Sequence, residues 1–173
     1  MTFRKATAAD IPAIAEIYAD IHTQEENREV TIGWIRSIYP TEATAQAALA
    51  RDDLFVGEDD GQIIGAAIIN KRQVPEYALG TWRHPAADEE VMVLHTLVIS
   101  PKSARVGYGR QFVDFYEQYA KSHNCPYLRM DTNARNVRAR AMYKKLGYEE
   151  IGIVPCVFNG IEGVQLVLLE KTL

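Results

Sequence analysis

Residues 91–99 read Val-Met-Val-Leu-His-Thr-Leu-Val-Ile, a run without a polar face. A strand wet on one side alternates apolar with polar residues, so an unbroken run suits a strand covered on both sides. Pro101 ends it. Gly107-Tyr108-Gly109-Arg110 then opens a helix whose Phe112, Phe115, Tyr116 and Tyr119 recur at spacings of three and four and read as core. A buried central strand followed by an amphipathic helix demands a sheet with helices on both faces.

The rest of the chain supplies the other layers. Thr2 to Ala6 reads as a short strand, and Thr7-Ala-Ala-Asp10 as a helix start, a hydroxyl followed three residues later by a carboxylate. Ile11, Ile14, Ala15, Tyr18 and Ile21 continue at helical spacing. A second short helix is expected around Ile32 to Ile38, and an alanine-rich one from Pro40-Thr41 to near Arg51. Leu54–Glu58 and Gln62–Asn70 flank Asp60-Gly61, a hairpin signal, as do Tyr148–Phe158 and Ile161–Glu170 around Asn159-Gly160. Tyr127–Asp131 reads as a strand, and Asn136–Leu146 as a helix closed by Gly147. The order β-α-α-β-β-β-α-β-α-β-β predicts a mixed sheet rather than a doubly wound one. Residues 71–89 form the longest irregular stretch, either a functional loop or a variable surface.

With 173 residues, 47% of them hydrophobic, the chain is expected to form a single domain over residues 1–173. Nineteen Lys and Arg stand against 23 Asp and Glu, a net charge of −4, which argues against nucleic acid or an anionic membrane as partner. The apolar runs are far shorter than the roughly 20 residues of a spanning helix, and the N-terminus does not read as a signal peptide. Two cysteines, Cys125 and Cys156, lack metal-ligand spacing, so a reducing cytoplasmic setting and no metal site are expected.

Two segments carry candidate chemistry. In the first, Leu97-Val-Ile-Ser-Pro-Lys-Ser-Ala-Arg-Val-Gly-Tyr-Gly-Arg110, a strand passes through small and basic residues to glycines at a helix N-terminus. Amides there point outward with positive potential, and glycine lets a phosphate approach them. Taken alone, the two glycines serve a tight turn equally well. In the second, Asn136 opens a helix and Tyr143 lies two turns along the same face. A ligand contact and an acid fit that pair; so do an N-cap and a packing tyrosine. His95 is either a neutral core histidine or a base near neutral pH. Arg129 lies either in an open cleft or at an exposed edge, and His22, His84 and His123 read as surface. No G-x-S-x-G elbow or activated cysteine signals an acyl-enzyme.

In this order and spacing the two segments resemble the GCN5-related N-acetyltransferase (GNAT) superfamily. Its phosphate motif, Gln/Arg-x-x-Gly-x-Gly/Ala after Leu-x-Val-x-Pro, matches Leu97–Pro101 and Ala104–Gly109, with Ala104 where the family has Gln or Arg. Its second motif matches Asn136, Ala139, Tyr143 and Leu146-Gly147-Tyr148. The resemblance implies an α/β (α+β) fold with a mostly antiparallel seven-stranded sheet, helices on both faces, and strands four and five splayed. It also implies acetyl-CoA as cosubstrate, bound by the backbone of Leu97, Val98 and Ile99, by Arg105, Val106, Gly107, Tyr108, Gly109 and Arg110, and by Asn136. Tyr143 would contact the cofactor too and act as general acid toward the departing thiolate. His95 and Glu90 are the candidates for the base, alongside water. The implied activity is direct acetyl transfer to a primary amine of a small molecule, a peptide N-terminus or a lysine, by a monomer or homodimer. The alternative is a non-catalytic acyl-CoA-binding or sensory domain on the same fold.

Overall fold

The computed structural model describes residues 1–103 and 107–173. Seven strands form one sheet: β1 (Thr2–Lys5), β2 (Leu54–Asp59), β3 (Gln62–Asn70), β4 (Val91–Ile99), β5 (Tyr127–Asn133), β6 (Glu149–Phe158) and β7 (Ile161–Thr172). Their order is β1-β2-β3-β4-β5-β7-β6, and every neighbouring pair is antiparallel except β4–β5. The helices are α1 (Ile11–Glu26), α2 (Glu42–Ala50), α3 (Tyr108–Ser122) and α4 (Val137–Lys145). Both hairpins form where the Asp-Gly and Asn-Gly pairs predict, with Asp60, Gly61, Asn159 and Gly160 all at positive φ.

Strand alternation sorts the side chains onto two faces. On one, α3 and α4 cover Phe55, Ala67, Ile69, Met92, Leu94, Leu128, Met130, Val167 and Leu169. On the other, α1 and α2 cover Leu54, Val56, Ala66, Ile68 and Val98. The strap from β3 to β4, residues 71–90, packs Tyr77 and Trp82 over Val91, Val93, Leu166 and Leu168 on that same side. Both faces of β4 are therefore covered, as its unbroken apolar run requires. At the start of α1, Asp10 accepts hydrogen bonds from the Thr7 amide at 2.8 Å and the Thr7 hydroxyl at 3.0 Å, and it pairs with Arg4 at 2.7 Å.

One expected element is absent. Residues 32–38 form no helix; a single bridge joins Ile35 to Tyr39. The Glu25 carboxylate takes the Ile32 and Gly33 amides at 2.6 and 3.0 Å, and Arg36 is bound by Glu26. Tertiary partners thus claim groups that a helix would need, and local apolar spacing loses to them.

A second difference lies inside β4. Ile68 pairs with His95 and Ala66 with Val98, so Ala67 faces both Thr96 and Leu97, and Thr96 sits at φ +50°. This β-bulge inverts the alternation. His95 shares a face with Val93 and Val98, not with Leu97 and Ile99 as uninterrupted strand geometry predicts.

Candidate active site

The parallel β4–β5 ladder runs from Val91↔Tyr127 to Leu94↔Met130 and stops. Tyr116 of α3 clamps the closed end, its hydroxyl lying 2.6 Å from the Met92 carbonyl and 3.2 Å from that of Arg129. Beyond Leu94, β4 stays with β3 while β5 stays with β7. The two strands part, as expected, leaving a wedge between residues 95–99 and 131–133.

The start of α3 stands at the open end of this wedge. Gly107, at φ +105°, is its N-cap, and the Gln111 amide returns to the Gly107 carbonyl at 3.0 Å. The amides of Gly109 and Arg110 precede that bond and lie in the helix's first turn, where the dipole is positive. Among the described residues, a Cβ built on Gly107 meets no atom within 4 Å. Gly109 differs: its Cβ would lie 3.2 Å from Met142 Sδ and 3.9 Å from Ile99 Cγ1, so this glycine seats α3 against α4 and β4. Tyr108 turns its hydroxyl to Asp59 at 2.6 Å, and Arg110 is exposed. Arg105 and Val106, with Ala104, lie outside the described residues. Leu97 and Ile99 pack toward α3 and α4, Val98 toward α1.

Asn136 caps α4, its Oδ1 accepting the Ala139 amide at 3.2 Å. Two turns on, Tyr143 is buried against Tyr148, ring centroids 5.9 Å apart. Burial, reinforced by the nearby charge of Asp131, pushes the Tyr143 phenol well above its ordinary range. It stays protonated at neutral pH and can donate.

The two expected bases are placed differently. Glu90 ends an exposed turn before β4, its carboxylate accepting the Ala87 amide at 3.2 Å. It stands at the closed end, four residues before the ladder stops. His95 stands where the strands part, but its Nε2 lies 3.1 Å from Asn70 Oδ1. That oxygen also accepts the Arg72 amide at 2.8 Å, so it accepts from His95 too, and Nε2 carries the proton. Asn70 in turn donates to Asp53 at 2.8 Å, drawing the imidazole into a network toward β2 and β3. Burial pushes His95 down to about 4, leaving it neutral and weakly basic at pH 7.

The structure adds residues that sequence reasoning passed over. Asp131 is the first β5 residue beyond the ladder, and its Oδ2 accepts the Tyr77 hydroxyl at 2.9 Å. Burial pushes its carboxyl up to about 7 against that hydrogen bond. Tyr39 bonds Thr96 at the bulge, and Cys156 of β6 and Glu76 of the strap are close enough to sense Asp131's charge or be sensed by it. The available signal was a carboxylate inside a strand, where charged groups are seldom buried without a reason.

Arg129 lies neither in a cleft nor at an exposed edge. It is buried at 4% exposure, 4.1 Å from the Trp82 ring, donating to the His84 carbonyl at 3.0 Å and to Gln73. It ties the strap to β5. His22 is likewise buried, with Nε2 2.9 Å from the Pro40 carbonyl, whereas His84 and His123 are exposed. Among the described residues, no helix is long and apolar enough to cross a membrane.

Against known families, the acetyltransferase (GNAT) family profile matches residues 11–148, most of the chain. The protein belongs to the GNAT family. It is 23% identical over 152 residues to YhfO of Bacillus subtilis, an uncharacterized N-acetyltransferase, covering 87% of this chain and 91% of that one. A GNAT-family acetyltransferase from Streptococcus agalactiae superposes with a TM-score of 0.79 at 22% identity, covering 99% and 95% of the two chains. A third similar protein is yncA of Salmonella typhimurium, determined with its cofactor acetyl-CoA: TM-score 0.71, 17% identity, 99% and 93% covered. The sheet of this chain is thus a GNAT fold.

Proposed function

We propose that this GNAT protein transfers the acetyl group of acetyl-CoA to a primary amine, of a small molecule or of a peptide, by direct attack in a ternary complex. The observation that carries the reading is the wedge itself, with the α3 N-terminus at its open end and a protonated phenol, Tyr143, against its side. The residues fit an acyl-CoA: no described residue crowds the Cβ position of Gly107, and the edge of β4 past Leu94 lacks a β5 partner. The first-turn amides of α3 would hold the pyrophosphate, with Arg105, Val106 and Arg110 flanking it. The backbone of Leu97, Val98 and Ile99 would align the pantetheine arm and supply an amide to the carbonyl oxygen as charge develops there. The Asn136 carboxamide, its oxygen engaged in capping, offers its NH₂ to the same ligand. The amine nitrogen attacks the acetyl carbon, the C–S bond breaks, and Tyr143 donates its proton to the departing sulfur.

The sparse cysteines support a cytoplasmic setting and the chain length a single domain; the enzyme is proposed to act as a monomer or homodimer. Similarity to yncA, whose structure holds acetyl-CoA, supports the donor. The test joins calorimetry with acetyl-CoA to thiol release across alkylamines, polyamines, amino acids and peptides with free N-termini. We expect binding and acceptor-dependent release. Binding without release by any acceptor identifies a non-catalytic acyl-CoA-binding domain instead.

A further inference from the structure

We propose that Asp131 is the general base of the transfer, taking the proton of the attacking amine directly or through one water. The inference rests on the acetyltransferase reading and adds to it the group which that reading leaves unnamed.

The placement comes first. Asp131 follows Met130, the last β5 residue paired with β4, so its backbone stands where the wedge opens. Leu128 and Met130 belong to the core under α3 and α4, so alternation turns Asp131 to the opposite face. Tyr77, which holds its carboxylate at 2.9 Å, belongs to the core on that face. Tyr143 lies on the other face, in the core under α3 and α4, yet is close enough that Asp131's charge shifts its phenol. A proton donor and a proton acceptor thus flank one opening from opposite sides of the sheet. Transfer needs that arrangement: the nucleophile loses a proton on one side of the acetyl carbon while the leaving group gains one on the other.

The groups facing Asp131 do not compete for the role. Tyr77 from the strap, Tyr39 from residues 31–40 and Tyr143 from α4 are all pushed upward by burial and act only as donors near neutral pH. The Cys156 thiol of β6 is also pushed up. Glu76, next to Tyr77, contributes charge that helps raise Asp131. Glu90 is at the closed end, and His95 is neutral with its proton committed to Asn70. An ordinary carboxylate would be a poor base, whereas one brought to about 7 by desolvation matches the operating pH.

The step balances. As the amine nitrogen bonds to the acetyl carbon, its N–H proton passes to the Asp131 carboxylate. The C–S electron pair goes to sulfur, and Tyr143 gives its proton there. Asp131 and Tyr143 are restored through solvent, leaving amide and thiol. No further reactant is needed.

The test is Asp131→Asn, which keeps the shape and an oxygen for Tyr77. With acetyl-CoA and the best acceptor of the amine panel, or water where amines give no gain, thiol release is followed from pH 5.5 to 9.5. We expect wild-type kcat/KM to show a limb breaking near 7 on top of the rise set by deprotonation of the acceptor amine at about 10.4, and the variant to lose the limb near 7 and keep only the amine's rise, with kcat down about 10²-fold. Its acetyl-CoA Kd should be unchanged. Thermal stability supplies a readout independent of any acceptor. A carboxyl raised from about 3.9 in the unfolded chain favours its protonated form in the fold. That stabilising contribution is fully present below pH about 4 and is lost as pH rises through about 7, a slope the variant should lack. A variant that keeps rate and limb overturns the base while leaving the acetyltransferase reading intact, as does one that loses Tm and rate but keeps the limb. A wild-type protein that binds acetyl-CoA and never releases thiol overturns both.

Discussion

The two walls of the wedge are built by different means. The α3–α4 wall comes from one stretch of chain: Leu97 to Ile99, Gly107 to Arg110, Asn136 and Tyr143 reach it through one strand and two helices. The opposite wall gathers Tyr39, Tyr77, Asp131 and Cys156 from an irregular segment, a strap and two strands, by packing alone. The first wall would serve any acyl-CoA, because backbone amides and one phenol suffice. In the proposed transfer the second would face the acceptor, so chain-specific chemistry would concentrate where local pattern says least.

If long-range ties build the second wall, cutting one should harm it and spare the first. Arg129 is the sharpest place to cut. It lies over Trp82, donates to Gln73 and the His84 carbonyl, and sits near Glu170, itself buried and accepting the Arg83 amide at 2.7 Å. Arg129→Met keeps the apolar stem but strands those acceptors and removes the charge that offsets Glu170. We expect a loss of about 3 kcal/mol, from leaving two buried acceptors without their donor. For a chain of this size that lowers Tm by roughly 10 °C. Acceptor KM should rise while acetyl-CoA Kd stays put. A Tm shift of a degree or less in a melting experiment would leave the strap held by its aromatic contacts alone.

The next effect falls on the first wall. Tyr143→Phe removes a hydroxyl from a buried ring and leaves its packing on Tyr148. We expect kcat to fall about 10²-fold, equivalent to about 2.7 kcal/mol of barrier, with unchanged acetyl-CoA affinity. Equal kcat in steady-state assays would assign Tyr143 to packing and let the thiolate leave unaided.

The same contrast explains what the sequence could reveal. The element order and both hairpins were legible because each rests on short-range rules: apolar period, Asp-Gly and Asn-Gly turns, a capped helix; the splay came only from the resemblance to the GNAT family. The α3–α4 wall was legible for the same reason. Residues 32–38 misled because Glu25 and Glu26 bind that segment from another element, which no local window contains. Uninterrupted alternation puts His95 on the wrong face, because a bulge at Thr96 leaves no mark on the apolar pattern. Arg129 and Asp131 were hardest to read. A charge in a strand signals something unusual, but its partners lie 45 and 54 residues away along the chain.

The smallest effect separates two glycines that look equivalent in the motif. No described residue lies within 4 Å of a Cβ built on Gly107, so in the proposed reading a side chain there projects where phosphate would lie, whereas a side chain on Gly109 presses on Met142. Gly107→Val therefore should weaken CoA binding about tenfold, or about 1.4 kcal/mol. It also adds backbone strain of about 1–2 kcal/mol, because φ +105° disfavours an L side chain. Gly109→Ala should instead lower Tm slightly, by crowding the α3–α4 contact, and change CoA affinity by less than Gly107→Val. Calorimetry and melting curves on both variants decide the matter. If Gly107→Val binds CoA as tightly as wild type, the glycine serves the turn alone and the phosphates lie elsewhere. If Gly109→Ala loses the affinity instead, the first wall depends on packing between α3 and α4, and is less local than its sequence motif implies.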